Sequence, residues 1–64
     1  MQLSVPDMSC QHCKAAVEAA IARIDPAAQV TVDLAARRVA VAGTASPAAV
    51  IAALAAAGFP AAPV

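Results

Sequence analysis

Tryptophan and tyrosine are absent from this chain of 64 residues, phenylalanine occurs once, at Phe59, and glycine twice. A surface that stacks nucleobases needs several aromatic faces, and one phenylalanine does not supply them. An excess of either charge is lacking too. Four basic and four acidic side chains cancel, and Lys14, Arg23, Arg37 and Arg38 are scattered rather than gathered into a stripe. No nucleic-acid partner is expected from such a charge pattern. Hydrophobic residues make up 62% of the chain, yet charged or polar residues, glycine and proline break every apolar run before the roughly 20 residues a bilayer-spanning helix requires. No membrane insertion is expected. Met1 to Pro6 carry no basic segment and no apolar stretch of signal-peptide length, so a cytoplasmic location is the expectation.

Paired catalytic groups are missing as well. Asp7, Glu18, Asp25 and Asp33 are dispersed, and no serine stands in a recognisable motif with a histidine and an acid. A hydrolase site is not visible, and the chain reads as a non-enzyme. Its length suits one small domain spanning residues 1–64, near the size at which a single core buries only about 60% of the unfolded surface.

What the chain does have is a local concentration of metal-binding groups. Its only cysteines, Cys10 and Cys13, flank its only histidine, His12. In a reducing compartment such a pair reads as metal ligands or redox catalyst rather than as a structural bridge. A bridge closing so short a loop would remove little chain entropy. If Cys10 ends a loop and Cys13 lies in the first turn of a helix, both sulfurs project beside unsatisfied backbone N–H groups, which favour thiolate over thiol. Cu(I) accepts two soft sulfur ligands and leaves its flank open to a third. A closed zinc site needs four ligands, and this segment offers at most three. His12 diverges from Cys13 by about 100° on a helix, so it is expected to tune local charge rather than to ligate.

Hydrophobic periodicity supplies the frame. Leu3 and Val5 alternate with polar neighbours in a first strand ending at Pro6, and a loop runs from Pro6 to Cys10. From Cys13 the apolar positions Val17, Ile21 and Ile24, with Ala20 beside them, mark the buried face of a helix that stops near Asp25-Pro26. Val30, Val32 and Leu34 give a second strand, and Val39 and Val41 a third after a turn around Ala35-Ala36. That turn lacks the usual Asn-Gly or Gly signal, which leaves its type open. Thr44 or Ser46 caps a second helix with Pro47 in its first turn. Its buried stripe is Val50, Ile51, Leu54 and Ala57, and Gly58 ends it. Phe59 to Val64 contains Pro60 and Pro63, so any strand there belongs at a sheet edge. The order predicts an α+β, ferredoxin-like βαββαβ sandwich: a four-stranded antiparallel sheet with two helices on one face. The loop after the second helix then returns to the end of the sheet that carries the first loop, making Phe59 an expected neighbour of the cysteines.

The stretch Met8-Ser9-Cys10-Gln11-His12-Cys13 resembles the M-x-C-x-x-C signature of the heavy-metal-associated domain, and its wording is similar to bacterial CopZ-type copper chaperones. The resemblance extends to the element order, the length and the Gly58-Phe59 pair. It implies that Cys10 and Cys13 bind Cu(I) and pass it to the metal-binding domain of a copper-transporting P-type ATPase. It also implies that Met8 points inward and anchors the loop, with His12 and Phe59 around the site. Two positions depart from the family. Asp7 stands where glycine is common before the methionine, and its charge opposes thiolate formation. Phe59 stands where bacterial members often carry tyrosine, so a hydroxyl is missing. Lys14 could offset the charge of a bis-thiolate site, although an exposed lysine is usually only solvated.

Alternatives stay open at this level. Another soft cation, Zn(II), Cd(II) or Hg(II), fits the same pair, and so does a buffer of soft metal that has no dedicated receiver. A thiol-disulfide oxidoreductase is chemically permitted by C-x-x-C at a helix start, but such folds need a longer chain and usually a tryptophan. A monomer is expected, with a copper-bridged dimer open to it because two copies offer four thiolates.

Overall fold

A computed structural model describes residues 1–64. Its elements follow the predicted order: β1 (Gln2–Ser4), α1 (Gln11–Ile24), β2 (Gln29–Asp33), β3 (Arg38–Ala42), α2 (Pro47–Ala56) and β4 (Ala62–Pro63). The four strands form one antiparallel sheet in the order β2-β3-β1-β4. Period-two alternation decides which face is covered. Val39 and Val41 of β3 and Leu3 of β1 are buried with Val5, while Gln2, Arg38 and Ala42 point to solvent. Val17, Ala20 and Ile21 of α1 and Val50 and Leu54 of α2 close over the apolar face, and Met8 completes the buried cluster. β2 lies at one edge, with Val30 and Val32 only partly buried against that cluster. At the other edge β4 pairs Pro63 with Leu3, and there a missing N–H donor is tolerated.

Two residues expected in the core lie outside it. Ile24 is 43% exposed, and Ala57 is exposed as the C-cap residue of α2. Both line a shallow groove between the C-terminal turns of the helices, with Ala20, Arg23, Ala53 and Ala56. The facing residues of α2 are alanines, whose methyl groups are too short to cover an isoleucine. Helical spacing identified the stripe but not the reach of what stands opposite.

The β2–β3 turn, left open above, is made without glycine. Asp33 Oδ1 accepts the Ala36 N–H at 3.1 Å, the Arg37 N–H reaches the Leu34 carbonyl at 3.2 Å, and Arg37 takes the left-handed region at φ 54°. For an L-residue with a Cβ that region costs about 1–2 kcal/mol. Ser46, rather than Thr44, caps α2, its hydroxyl accepting the Ala49 N–H at 3.2 Å.

Thr44 is engaged by Asp25, a residue read from sequence only as a helix stop. The Asp25 carboxylate is buried, with Oδ2 accepting the Thr44 N–H at 2.8 Å, the Ala45 N–H at 3.2 Å and the Thr44 hydroxyl at 3.4 Å. It ties the end of α1 to the segment leading into α2. The Thr44 N–H, followed by the Ala45 N–H, holds the carboxyl below its ordinary value of 3.8, against the opposing effect of desolvation. A folded value below the unfolded one adds stability that is complete above about 3.8 and is lost as pH falls through the folded value. Asp25→Asn is therefore expected to lower the melting temperature at neutral pH by about 5 °C or more. It should also show a smaller drop than the wild type between neutral pH and pH below 3.8. Thermal melts by circular dichroism at several pH values check both.

Gly43 permits this close approach. A Cβ there would collide with Asp25 Oδ2 and lie 2.8 Å from the Ala28 Cβ. Gly43→Ala is expected to destabilise by about 1–3 kcal/mol, measured by urea unfolding, without change at the cysteine loop.

Candidate metal centre

The cysteine loop is anchored before it reaches the sulfurs. The Met8 N–H donates to the Val5 carbonyl at 3.0 Å, and the Met8 side chain is fully buried. Its thioether packs in the core, in keeping with the inward direction expected for it. Ser9 and Cys10 follow on the surface, and α1 starts at Gln11.

Cys10 is the N-cap of α1. Its backbone is extended (φ −146°, ψ 171°), its carbonyl accepts the Lys14 N–H at 3.0 Å, and its Sγ accepts the Cys13 N–H at 3.4 Å. Cys13, third residue of the helix, is half-buried against the core, whereas Cys10 is exposed. Both are free thiols, and the Cys10 thiol donates to Cys13 Sγ at 3.1 Å. The Cys13 thiol is lowered from its ordinary value of 9.0. The largest cause is a backbone hydrogen bond from Ser9, then the Cys10 thiol, with a smaller contribution from the Cys10 backbone. Desolvation and the charge of Asp7 oppose them, Asp7 more weakly. The effect expected of Asp7 is present and is outweighed.

The spacing of the sulfurs limits what they can do. An ion with metal–sulfur bonds of about 2.3 Å held in line between two thiolates sets them about 4.6 Å apart. From 3.1 Å the pair must open by about 1.5 Å. Cys10 is the sulfur free to move, because Cys13 is fixed on the helix and against the core. No third His, Cys, Asp or Glu joins the pair in a ligand group. His12 is exposed in the first turn of α1. The arrangement suits a soft cation of low coordination number and leaves open positions for an incoming ligand.

Phe59 is placed by the end of α2. Gly58 takes φ 91°, which only glycine adopts without strain, and the Phe59 N–H returns to the Leu54 carbonyl at 2.8 Å. The ring is half-buried against the same cluster that Cys13 packs on. Lys14, beside Cys13, is half-buried. One contact to the loop had no signal in the sequence: Arg37 Nη1 donates to the Pro6 carbonyl at 3.3 Å.

The heavy-metal-associated domain family matches residues 2–60. A trimeric form of a histidine-to-tyrosine variant of the copper chaperone Atx1 from Synechocystis PCC6803 is 32% identical. It superposes with a TM-score of 0.94, covering 97% of this chain and 98% of that one. A gold binding protein is 39% identical at a TM-score of 0.92, over 95% and 94% of the two chains. Oxidized MerP from Ralstonia metallidurans CH34 is 31% identical at 0.85, over 95% and 89%. None of the curated proteins compared matches the chain. No helix is long and apolar enough to cross a membrane.

Proposed function

The chain belongs to the heavy-metal-associated domain family, and from that premise we propose that it is a cytoplasmic carrier of Cu(I), not an enzyme, with Cys10 and Cys13 as the ligands. In this reading residues 1–64 are one carrier domain, and Cu(I) is its cargo. The observation that carries the reading is the sulfur pair: two free thiols at the start of one helix, one lowered and fixed, one exposed and movable, with no third ligand group. Two sulfurs suffice for Cu(I) and leave its flank accessible. A closed zinc site lacks half its ligands here. The copper chaperone Atx1 among the structures of the same fold supports this choice of metal.

Transfer proceeds by ligand exchange. A thiolate of the acceptor, taken here as the metal-binding domain of a copper-transporting P-type ATPase, bonds to the two-coordinate ion and gives a three-sulfur intermediate. Cys10 then leaves, being the exposed sulfur, and Cys13 follows as a second acceptor sulfur bonds. Copper stays Cu(I) throughout, and the released thiolates take up protons from solvent. Met8 holds the loop from the core, Phe59 closes the apolar side, and His12 remains outside the ligand set.

The test is titration of the reduced protein with Cu(I) against a competing chelator, followed by transfer to an isolated ATPase metal-binding domain. One ion per monomer, withheld from the chelator and surrendered to the domain, is the expected outcome. A chain that leaves copper-fed cells without copper and holds zinc tightly overturns the choice of cargo. The gold binding protein and MerP among the similar structures favour a second reading, in which the pair carries another soft thiophilic cation. Competition of Au(I) and Hg(II) against bound Cu(I) separates the two.

A further inference from the structure

Arg37 adopts a backbone conformation that glycine or asparagine would take with less strain, and it is the only non-glycine residue with a positive φ. Its side chain gives that choice a consequence. From the β2–β3 turn, 31 positions away in sequence, the guanidinium donates to the Pro6 carbonyl at 3.3 Å. The Arg37 carbonyl accepts the Val5 N–H at 2.8 Å. Arg37 therefore grips two successive residues at the root of the cysteine loop. The Met8 N–H bond to Val5 and the buried Met8 side chain lock the next turn of chain. Only Ser9 and Cys10 remain on the surface between this clamp and α1.

We propose that Arg37 is a positioning residue for the cysteine pair: its guanidinium straps Pro6 to the β2–β3 turn and confines the opening that admits an ion to Ser9 and Cys10. The inference rests on the reading of Cys10 and Cys13 as ligands. Without the strap the backbone turn from Val5 to Met8 loosens as well, and ordering more of the loop on binding weakens the complex. Because strap and ion are linked through loop order, removing the side chain weakens ion binding while leaving the core untouched. The left-handed backbone is kept for the sake of the side chain it presents.

The test compares the full chain with Arg37→Asn, which is at ease at positive φ and too short to reach Pro6, and with Arg37→Lys, which keeps a donor of comparable length. Three quantities are measured: hydrogen exchange of the Met8 amide in the metal-free, reduced protein, Cu(I) affinity by chelator competition, and the melting temperature. Arg37→Asn is expected to exchange the Met8 amide about three- to tenfold faster and to bind Cu(I) about three- to tenfold more weakly. Its melting temperature should stay within about 3 °C of the wild type, and Arg37→Lys should recover part of both effects. An unchanged Met8 exchange rate in Arg37→Asn sinks the strap while copper binding by the wild type preserves the site. Affinity and melting temperature falling together would mark an ordinary structural residue and overturn the proposal. A wild-type chain that takes up no Cu(I) overturns the ligand assignment, and the positioning role with it.

Discussion

Replacement of both cysteines by serine is expected to leave a folded protein that holds no Cu(I). The hydroxyl of serine is a hard, neutral ligand at pH 7, whereas the ion requires soft, ionised sulfur. The fold should survive because Cys10 acts locally as an N-cap through Sγ, and serine is among the preferred residues at that position. Cys13 is only half-buried, so shortening it leaves no closed cavity. Single substitutions carry the quantitative argument. In a site of only two ligands each metal–thiolate bond carries a large part of the binding energy, so losing one sulfur is expected to cost more than about a thousandfold in affinity, about 4 kcal/mol. Cys10→Ser and Cys13→Ser should each show it in chelator competition, with melting temperatures near that of the parent. The two variants should also differ. Cys13→Ser removes the fixed, lowered sulfur and leaves an exposed thiol, whereas Cys10→Ser leaves the half-buried one. Faster alkylation is therefore expected of the thiol that remains in Cys13→Ser where exposure controls the rate. Stoichiometric copper in the double variant would place the site elsewhere.

Most of the architecture was legible because it depends on local periodicity. Period-two alternation at Leu3/Val5 and Val39/Val41 and the helical spacing of Val17 and Ile21 each specify a face, and the faces close only one way in a chain this short. The cysteine pair was legible for the same reason: its chemistry lies within four positions of one loop and one helix start. What escaped the sequence depends on partners distant along the chain. Asp25 looked like a stop signal, since nothing near it reveals that Thr44 and Ala45, 19 and 20 positions on, will turn their N–H groups toward it. Arg37 looked like one of four scattered cations, because neither its positive φ nor its reach to Pro6 is encoded by its neighbours. Ile24 fitted its stripe, yet burial depended on the length of side chains across the groove, where α2 offers alanine. Thus spacing picked out the cysteine pair proposed as ligands, while the long-range contacts of Asp25 and Arg37 emerged only from tertiary structure.

Met8 separates anchoring from ligation most sharply. It is the middle of the clamp, fully buried and one residue removed from Cys10, and a thioether is itself a possible ligand for Cu(I). Met8→Ala empties a core site and is expected to cost about 2–5 kcal/mol. A chain of 64 residues has roughly 3–10 kcal/mol of stability in all. A large unfolded fraction at 37 °C is the expected result in urea and thermal unfolding, and copper binding would fall with the fold. That variant alone cannot distinguish the two roles, but Met8→Leu can. Leucine fills nearly the same volume without sulfur, so stability should change by less than about 1.5 kcal/mol. If the thioether only anchors the loop, Cu(I) affinity stays at the wild-type value. If it reached the ion, affinity would drop while the melt stayed put. The burial of Met8 and its N–H bond to Val5 predict the first result, because a side chain that swung out to ligate would leave behind the same cavity that makes Met8→Ala so costly.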